Sequence, residues 1–481
     1  MKFQEIKNNI FYCGLNDRER RIFDELIPLE HGTSYNSYLV KGSEKIAIID
    51  TMYPPKSDEY IKNLDENNIT HVDYIIANHG EQDHSGSIPK LLKKYPEAIV
   101  VTNAKCKENI IEMLHVDEAK ITVISDGEEL SLGDKTLKFI IAPGVHWPDT
   151  MFTHIVEDNL LCTCDFLGAH YTFDNLYSPD NCAIEHSAKR YYAEIMMPFR
   201  TMCKKYTKMI QDLKPEMIMA SHGPIYKNPD FILDLYADWS ADEGKNLVLL
   251  PYVSMYKSTE EMIEYLAKKL ASKGIDTQVF DIVTGDLGDL AMGLVDATTF
   301  VMGCSMVLAG PHPMAANVAY LANLLRPKTK FASIVGSYGW GGNLTGKLGE
   351  MLSGLKLEMV EPLLIKGKPK EEDFAKLDAM AETIYEKHKS LIDLVQQFGF
   401  ELYGTKGKGE NKENVYLKRM NIITGDIKKD FPLVDYKSVK KYLLGIYPKY
   451  HSVMFPDSIL TTENKNIITG YGNTIFIVVV G

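Results

Sequence analysis

The chain reads as a multidomain protein of α/β and α+β character, and three observations lead there. Between residues 99 and 223, short strand-like runs alternate with polar turns such as Asp126-Gly127 and Leu132-Gly133-Asp134, the pattern of a sandwich of two sheets with outer helices. From residue 247 the rhythm changes to strict alternation of strand and helix with short connections, which means a doubly wound parallel sheet. Between the two, Ser240-Ala241-Asp242-Glu243-Gly244-Lys245-Asn246 is small and polar, as a linker should be. This organisation predicts a first domain at 1–244, a second at 245–400, and a C-terminal extension at 405–481.

At 481 residues, 45% hydrophobic and 25% charged, the composition is that of an ordinary globular protein with room for two or three domains. A net charge of -12 argues against nucleic acid as a general partner. The cysteines, Cys13, Cys106, Cys162, Cys164, Cys182, Cys203 and Cys304, are odd in number and scattered, so no disulfide framework is implied. No C-x-x-C pair occurs, which excludes a fused rubredoxin-type iron site or a zinc ribbon. Cys162-Thr163-Cys164 alternates within a strand and reads as core packing. The start, Met1-Lys2-Phe3-Gln4-Glu5, lacks the basic and apolar regions of a signal peptide. No segment approaches the roughly 18 to 20 apolar residues of a membrane helix, so a cytoplasmic protein without membrane contact is expected.

In chain order, residues 38–40 and 46–50 read as a hairpin turning at Lys41-Gly42-Ser43-Glu44. Val72 to Ala77 reads as a buried strand, and a helix starts within Ser85-Gly86-Ser87-Ile88-Pro89. In the second domain strands are expected at 247–252, 277–282, 300–303, 331–335 and 361–365, with helices at 259–270, 287–294, 315–325, 347–352 and 371–395.

The strand-to-helix loop Asn78-His79-Gly80-Glu81-Gln82-Asp83-His84 carries two imidazoles and two carboxylates. In such a loop successive side chains can converge at the carboxyl end of a sheet, where open α/β proteins place their sites. A solvated polar turn is the alternative; the cluster His79, Glu81, Asp83 and His84 reads instead as a metal or catalytic site. Three further candidates each end a strand-like run: His146 in Ala142-Pro143-Gly144-Val145-His146-Trp147, Asp165 after Leu160-Leu161-Cys162-Thr163-Cys164, and His222 in Ala220-Ser221-His222-Gly223. Each of these alone would more often be a capping or hydrogen-bonded residue, but the repeated placement at strand ends raises all three as ligands. His170 is best placed to steady a ligand, and one of Tyr191 and Tyr192, here taken as Tyr192, faces the pocket.

The pattern His79-x-Glu81-x-Asp83-His84, then His146, Asp165 and His222, resembles the metallo-β-lactamase fold in the form used by flavodiiron proteins. Zinc hydrolases of that fold carry His where this chain has Glu81, and exchanging imidazole for carboxylate hardens the site towards iron. The resemblance implies that His79, Glu81 and His146 hold one iron, that Asp83, His84 and His222 hold the other, and that Asp165 bridges. It also places a histidine near residues 22 to 27, where this chain has Ile22-Phe23-Asp24-Glu25-Leu26.

Three strand-end loops of the second domain fit the same family. Ser254-Met255-Tyr256-Lys257-Ser258-Thr259 leads into a helix amino terminus that favours a phosphate, and without G-x-G-x-x-G a mononucleotide is preferred to a dinucleotide. The second loop begins Cys304-Ser305-Met306-Val307. The third, Ser337-Tyr338-Gly339-Trp340-Gly341-Gly342, offers glycines for close backbone approach to a flat ring and aromatics to stack on it. Together they look like a flavodoxin domain binding FMN, with a bare phosphate-binding domain as the alternative.

The resemblance implies an oxidoreductase that reduces O2 to water, NO to N2O, or both, with a rubredoxin-type or other small protein as electron donor. It further implies a head-to-tail homodimer or a homotetramer, with Trp340 near the interface. Two other readings are a zinc hydrolase fused to a flavodoxin-like domain and a flavin-binding electron carrier whose first domain is structural. Residues 405–481 lie outside the resemblance; they hold 12 Lys and Arg against 7 Asp and Glu, net +5 beside about -17 for the rest. That contrast suggests a docking role, and the apolar run from Ile475 to Val480 is expected to be buried as a strand.

Overall fold

This computed structural model describes residues 2–395 apart from Asp24, then the strands Phe398–Lys406 and Glu413–Ile422 and short strand pieces as far as Ile475. The chain divides into two units, Met1–Ala241 and Asp242–Gly481.

The first unit contains two large sheets. One has the spatial order Gln4–Lys7, Ile10–Tyr12, Tyr38–Lys41, Ile46–Ile49, Tyr74–Ile76, Ile99–Thr102, Ile121–Val123. It is antiparallel up to Ile46–Ile49 and parallel beyond. The change of sense follows from the connections: a tight turn joins Lys41 to Ile46, whereas the path from Ile49 to Tyr74 runs through the helix Ser57–Glu66. The second sheet has the order Glu129–Ser131, Thr136–Ile141, Met151–Ile155, Leu160–Cys164, Met217–Ala220, with only the last pair parallel.

Side chains alternate across these strands, and the alternation builds the layers. Tyr38, Val40, Ala47 and Ile49 join Phe139, Met151, Leu160 and Met219 of the second sheet in one core. Leu39, Ile48, Ile75 and Val100 face the other way, onto Tyr60, Leu64, Ile88, Leu91 and Ile110 of helices. On the far side of the second sheet, Phe152 packs its ring on Phe166 and on Tyr206 of the helix Arg200–Leu213 at 5.8 and 5.7 Å. The result is the expected αββα sandwich.

The second unit is a doubly wound parallel sheet in the order Asp276–Asp281, Lys245–Val253, Ala297–Val307, Phe331–Tyr338, with Glu358–Met359 and Leu363–Lys366 along the outer edge of the last. One face packs Val248, Leu250, Val301 and Val335 against Met262, Ile263 and Leu266 of the helix Ser258–Ser272 and Leu377, Ala381 and Ile384 of the helix Glu371–Val395. Two expectations need correction. Cys304, Ser305, Met306 and Val307 form the end of a strand rather than a loop, because Met306 and Val307 pair with Pro311 and Gly310 across a turn in which Leu308 and Ala309 take φ of 49° and 60°. Ser337 and Tyr338 likewise end the strand Phe331–Tyr338, where they pair with Ile365 and Lys366. Beyond it, Phe398–Lys406 pairs antiparallel with Glu413–Ile422 and so runs across the expected gap between 400 and 405. The expected strand from Ile475 to Val480 falls outside the described residues except for Ile475.

One buried polar link ties the long helix to the sheet. His388 is fully buried, with Nε2 2.7 Å from Thr299 Oγ1 and Nδ1 2.9 Å from Asn246 Oδ1. Burial pushes its pKa down to about 4. Because the unfolded chain takes up this proton first, near about 6.5, stability is lost as pH falls from there towards about 4. Urea titrations at stepped pH should find that His388→Gln costs about 1–3 kcal/mol at pH 8 yet declines less steeply than the wild type in acid.

Candidate metal centre

The loop Asn78–His84 leaves the strand Tyr74–Ile76 and enters a single helical turn, Gln82–Ser85. What holds it is Asp50, at the end of the neighbouring strand, buried and left-handed with φ 56°. Its carboxylate accepts from Asn78 N and Nδ2, both at 2.9 Å, and from Ser221 Oγ at 3.2 Å. One carboxylate thereby fixes the residue before His79 and the residue before His222. Thr51 donates its N–H and its hydroxyl to the His84 carbonyl at 2.6 and 2.8 Å. Gly80 is required by a close approach: its N–H donates to Asp149 Oδ2 at 2.8 Å, and a Cβ there would meet that oxygen at 2.9 Å and the Asn109 Cβ at 2.7 Å.

The seven candidate side chains meet. His79, Glu81, His146 and Asp165 form one group able to hold an ion, and Asp83, His84 and His222 form another. In the first, Glu81 Oε2 lies 3.1 Å from His79 Nε2 and 3.3 Å from His146 Nε2. In the second, Asp83 lies 3.3 Å from His84 Nε2 and 3.2 Å from His222 Nε2. Asp165 stands between them. Its Oδ2 is 3.2 Å from His146 Nε2 and 3.6 Å from His79 Nε2, while its Oδ1 is 2.9 Å from His84 Nε2 and 3.4 Å from His222 Nε2.

Burial opposes charge on His79, Glu81, His84, His146, Asp165 and His222, and their proximity overrides it. The imidazoles of His84, His146 and His222 hold the Asp165 carboxyl well below the usual range. The Asp165 carboxylate lifts His146 to about 9, with Glu81 adding to the effect, and Asp165 with Asp83 lifts His222 to about 10. The outer ring nitrogens are oriented as in metal sites: His79 Nδ1 lies 3.0 Å from Asp149 Oδ1, and His222 Nδ1 donates to the Ser34 carbonyl at 2.6 Å. Both Asp83 oxygens, both His84 ring nitrogens and Asp165 Oδ2 are buried without a hydrogen-bond partner. Cations between the two groups would satisfy these atoms. A donor set of four imidazoles and three carboxylates fits iron.

Around this cage the tyrosine expectation is reversed. The Tyr191 hydroxyl donates to Asp165 Oδ1 at 3.0 Å, whereas Tyr192 donates to the Trp239 carbonyl at 3.2 Å and packs on Tyr236. Consecutive helical residues point about 100° apart, and the helix widens into a π turn at Tyr192–Met196, so only one tyrosine faces the carboxylate. His170 packs its ring 5.0 Å from that of His222, with Nδ1 2.9 Å from Thr33 Oγ1. Where the resemblance places a histidine, Phe23 is buried against His170 at 4.3 Å and His222 at 5.7 Å, with the Arg20 guanidinium 5.0 Å from its ring centroid. Asp50 and Asp149 are the contributors that sequence reasoning missed, and Tyr191 was named only as the alternative to Tyr192; of the two acids, Asp50 alone bore a signal, closing an apolar run.

In the second unit three of the expected flavin-loop hydroxyls converge: Thr259 Oγ1 lies 3.2 Å from Ser305 Oγ and 3.0 Å from Ser337 Oγ. Ser254 Oγ is buried without a partner, and Met255 N donates to Ser305 Oγ at 3.4 Å. Lys257, at φ 67°, swings the chain into the helix that begins at Ser258. Tyr256 and Trp340 are 82% and 65% exposed, placing two uncovered aromatic rings on strand-end loops. Gly339 and Gly341 meet no atom where a Cβ would stand, whereas at Gly342 a Cβ would strike Ala309. An orphan hydroxyl, a hydroxyl cluster and uncovered rings fit FMN.

Comparison with known proteins decides the family. The ODP family of β-lactamases matches residues 33–223. The nitric oxide reductase of Moorella thermoacetica is 33% identical over 380 residues, 76% of this chain and 94% of that protein. The chain belongs to the flavodiiron protein family. The anaerobic nitric oxide reductase flavorubredoxin of Escherichia coli is 31% identical over 378 residues, 76% of this chain and 78% of that one. Rubredoxin oxygen:oxidoreductase of Desulfovibrio gigas superposes with a TM-score of 0.78 at 26% identity, covering 81% of this chain and 100% of that structure. The flavodiiron protein of Giardia intestinalis shares the fold, with a TM-score of 0.75 at 23% identity over 82% of this chain and 98% of that one. As a flavodiiron protein the chain is an oxidoreductase.

Two outcomes follow for this flavodiiron site. Asp165→Ala should lose iron from both groups, measured as iron per chain, because its two oxygens face one group each; full retention would show that Asp165 does not bridge. Their carboxylate neighbours keep His79, His146 and His222 protonated above neutral pH in the metal-free cage, so iron(II) uptake at pH 7 should release protons into a weakly buffered solution. Affinity should therefore rise as pH is raised towards about 9 and fall in acid, which anaerobic titration with a pH indicator would follow.

Proposed function

We propose that this flavodiiron protein holds two irons on His79, Glu81, His146, Asp83, His84, His222 and the bridging Asp165, carries FMN on its second unit, and reduces O2 to water, NO to N2O, or both. The observation that carries the reading is Asp165, whose two oxygens are turned to two different groups of ligands. Two irons in such a cage would bind a diatomic and take up electrons in pairs, and FMN would accept electrons and pass them on. The chain's own residues do the rest. Asp149 and the Ser34 carbonyl orient His79 and His222. Tyr191 holds a hydroxyl proton 3.0 Å from Asp165, on the pocket side. Phe23 fills the space beside His170 and His222 with hydrocarbon and keeps water out of it.

Glu81 favours iron over the alternative zinc hydrolase, because it replaces an imidazole donor with a hard carboxylate. The names of the relatives support both gases, the Moorella and Escherichia proteins NO and the Desulfovibrio protein O2. The last also supports a rubredoxin-type donor. No helix among the described residues is long and apolar enough to cross a membrane, which is compatible with a cytoplasmic enzyme. A head-to-tail homodimer or homotetramer, with the exposed Trp340 near the interface, is the assembly proposed.

The test is metal analysis followed by anaerobic measurement of gas consumption with a reduced donor. About two irons per chain and consumption of NO or O2 are expected. Stoichiometric zinc after iron-replete expression, or a flavin-loaded protein that consumes neither gas, would overturn the reading.

A further inference from the structure

A small pocket opens beside the metal centre on the side where Tyr191 meets Asp165. Its volume is about 20 Å³, and it is lined by His170, Tyr191, Ser187, His186, His31 and Glu30 among others. Room of that size suits a single water molecule. The rim is open, since the side chains of His31 and Glu30 are 45% and 68% exposed. The floor is closed by His170, only 8% exposed, whose Nε2 has no hydrogen-bond partner. Its other ring nitrogen is engaged by Thr33 Oγ1 at 2.9 Å, which holds a ring that is itself part of the pocket lining. A buried imidazole nitrogen without a partner costs free energy comparable to a lost hydrogen bond unless water or a ligand meets it.

Two neighbours make the position useful. The His170 ring lies 4.8 Å from that of Tyr191 and 5.0 Å from that of His222. Tyr191 in turn donates to Asp165 at 3.0 Å. A molecule resting on His170 Nε2 is thus one side chain away from the bridging carboxylate. On another side the ring of Phe23 packs on that of His170 at 4.3 Å.

We propose that this pocket is a hydration port: it holds a water on His170 Nε2 and carries water and protons between solvent and the Asp165 side of the metal centre. The inference rests on the reading of the chain as a gas reductase. Reduction of NO to N2O, or of O2 to water, takes electrons from the reduced donor, consumes protons from solvent and releases water, so both must cross the protein shell. The port asks for no change in the charge of His170, which only holds the water in line.

The test has a structural arm and a kinetic arm, both on the full chain. A high-resolution crystal structure of the protein as purified should place a water about 2.7–3.2 Å from His170 Nε2. Ser187→Leu, which fills the wall, should remove that water while iron and flavin content stay unchanged. Its gas consumption should slow by about tenfold or more, with a larger solvent deuterium isotope effect. Should Ser187→Leu fail to fold, His186→Trp, at an exposed rim position, carries the same test. A wild-type structure without water on that nitrogen overturns the port. So does a water-free variant whose rate and isotope effect match the wild type. A wild type that consumes neither gas refutes the functional reading instead, and the port's role with it, a result told apart by the wild-type assay.

Discussion

One buried carboxylate among four imidazoles is the constraint on which the first unit depends. Asp165 has lost nearly all its water, and only positive charge close by makes its ionised state tolerable. Four histidines supply part of that charge, and cations held by the two groups would supply the remainder. Everything around it serves to bring those histidines from distant parts of the chain to one point: two sheets that end together, Asp50 pinning Asn78 and Ser221, and Thr51 gripping the His84 carbonyl. The sandwich is a scaffold for that convergence, and its apolar core supplies the rigidity that keeps like-charged carboxylates in place.

The seven converging side chains were legible because His79, Glu81, Asp83 and His84 crowd one strand-to-helix loop, while His146, Asp165 and His222 each follow an apolar run where nothing in the packing of a sheet calls for a polar residue. Asp50 gave the same signal and was passed over, since its oxygens turn inward to the backbone and to Ser221 rather than to the cage. Asp149 gave none; it lies in an irregular loop where no periodicity marks a buried position. The choice between Tyr191 and Tyr192 was hidden by the π turn, which alters helical phase without leaving a trace in composition. Phe23 was visible only as the lack of a histidine, and its contact with two histidine rings came from the fold.

In the second unit the alternation of strand and helix was readable almost throughout, because strict β/α order admits few topologies. The errors fell at the carboxyl ends of strands. Cys304 to Val307 looks like a loop because it precedes Leu308-Ala309-Gly310-Pro311, yet the chain doubles back so tightly that the residues before the turn stay paired. The effect is to carry Ser305 to the strand end, level with Thr259 and Ser337, so three hydroxyls from three segments share one spot.

The donors of the metal cage are spread from His79 to His222 and come from four different strand ends belonging to both sheets. No short stretch of chain can gather them, so the cage exists only after the long-range pairings of the sandwich have formed, which are the slow contacts of folding. A metal ion meeting the newly made chain would find at most the donors of residues 79–84 and not the whole cage, unlike the ion of a small zinc-stabilised module. Loading with metal would then follow folding, at a pace set by how ions and water reach the finished cage.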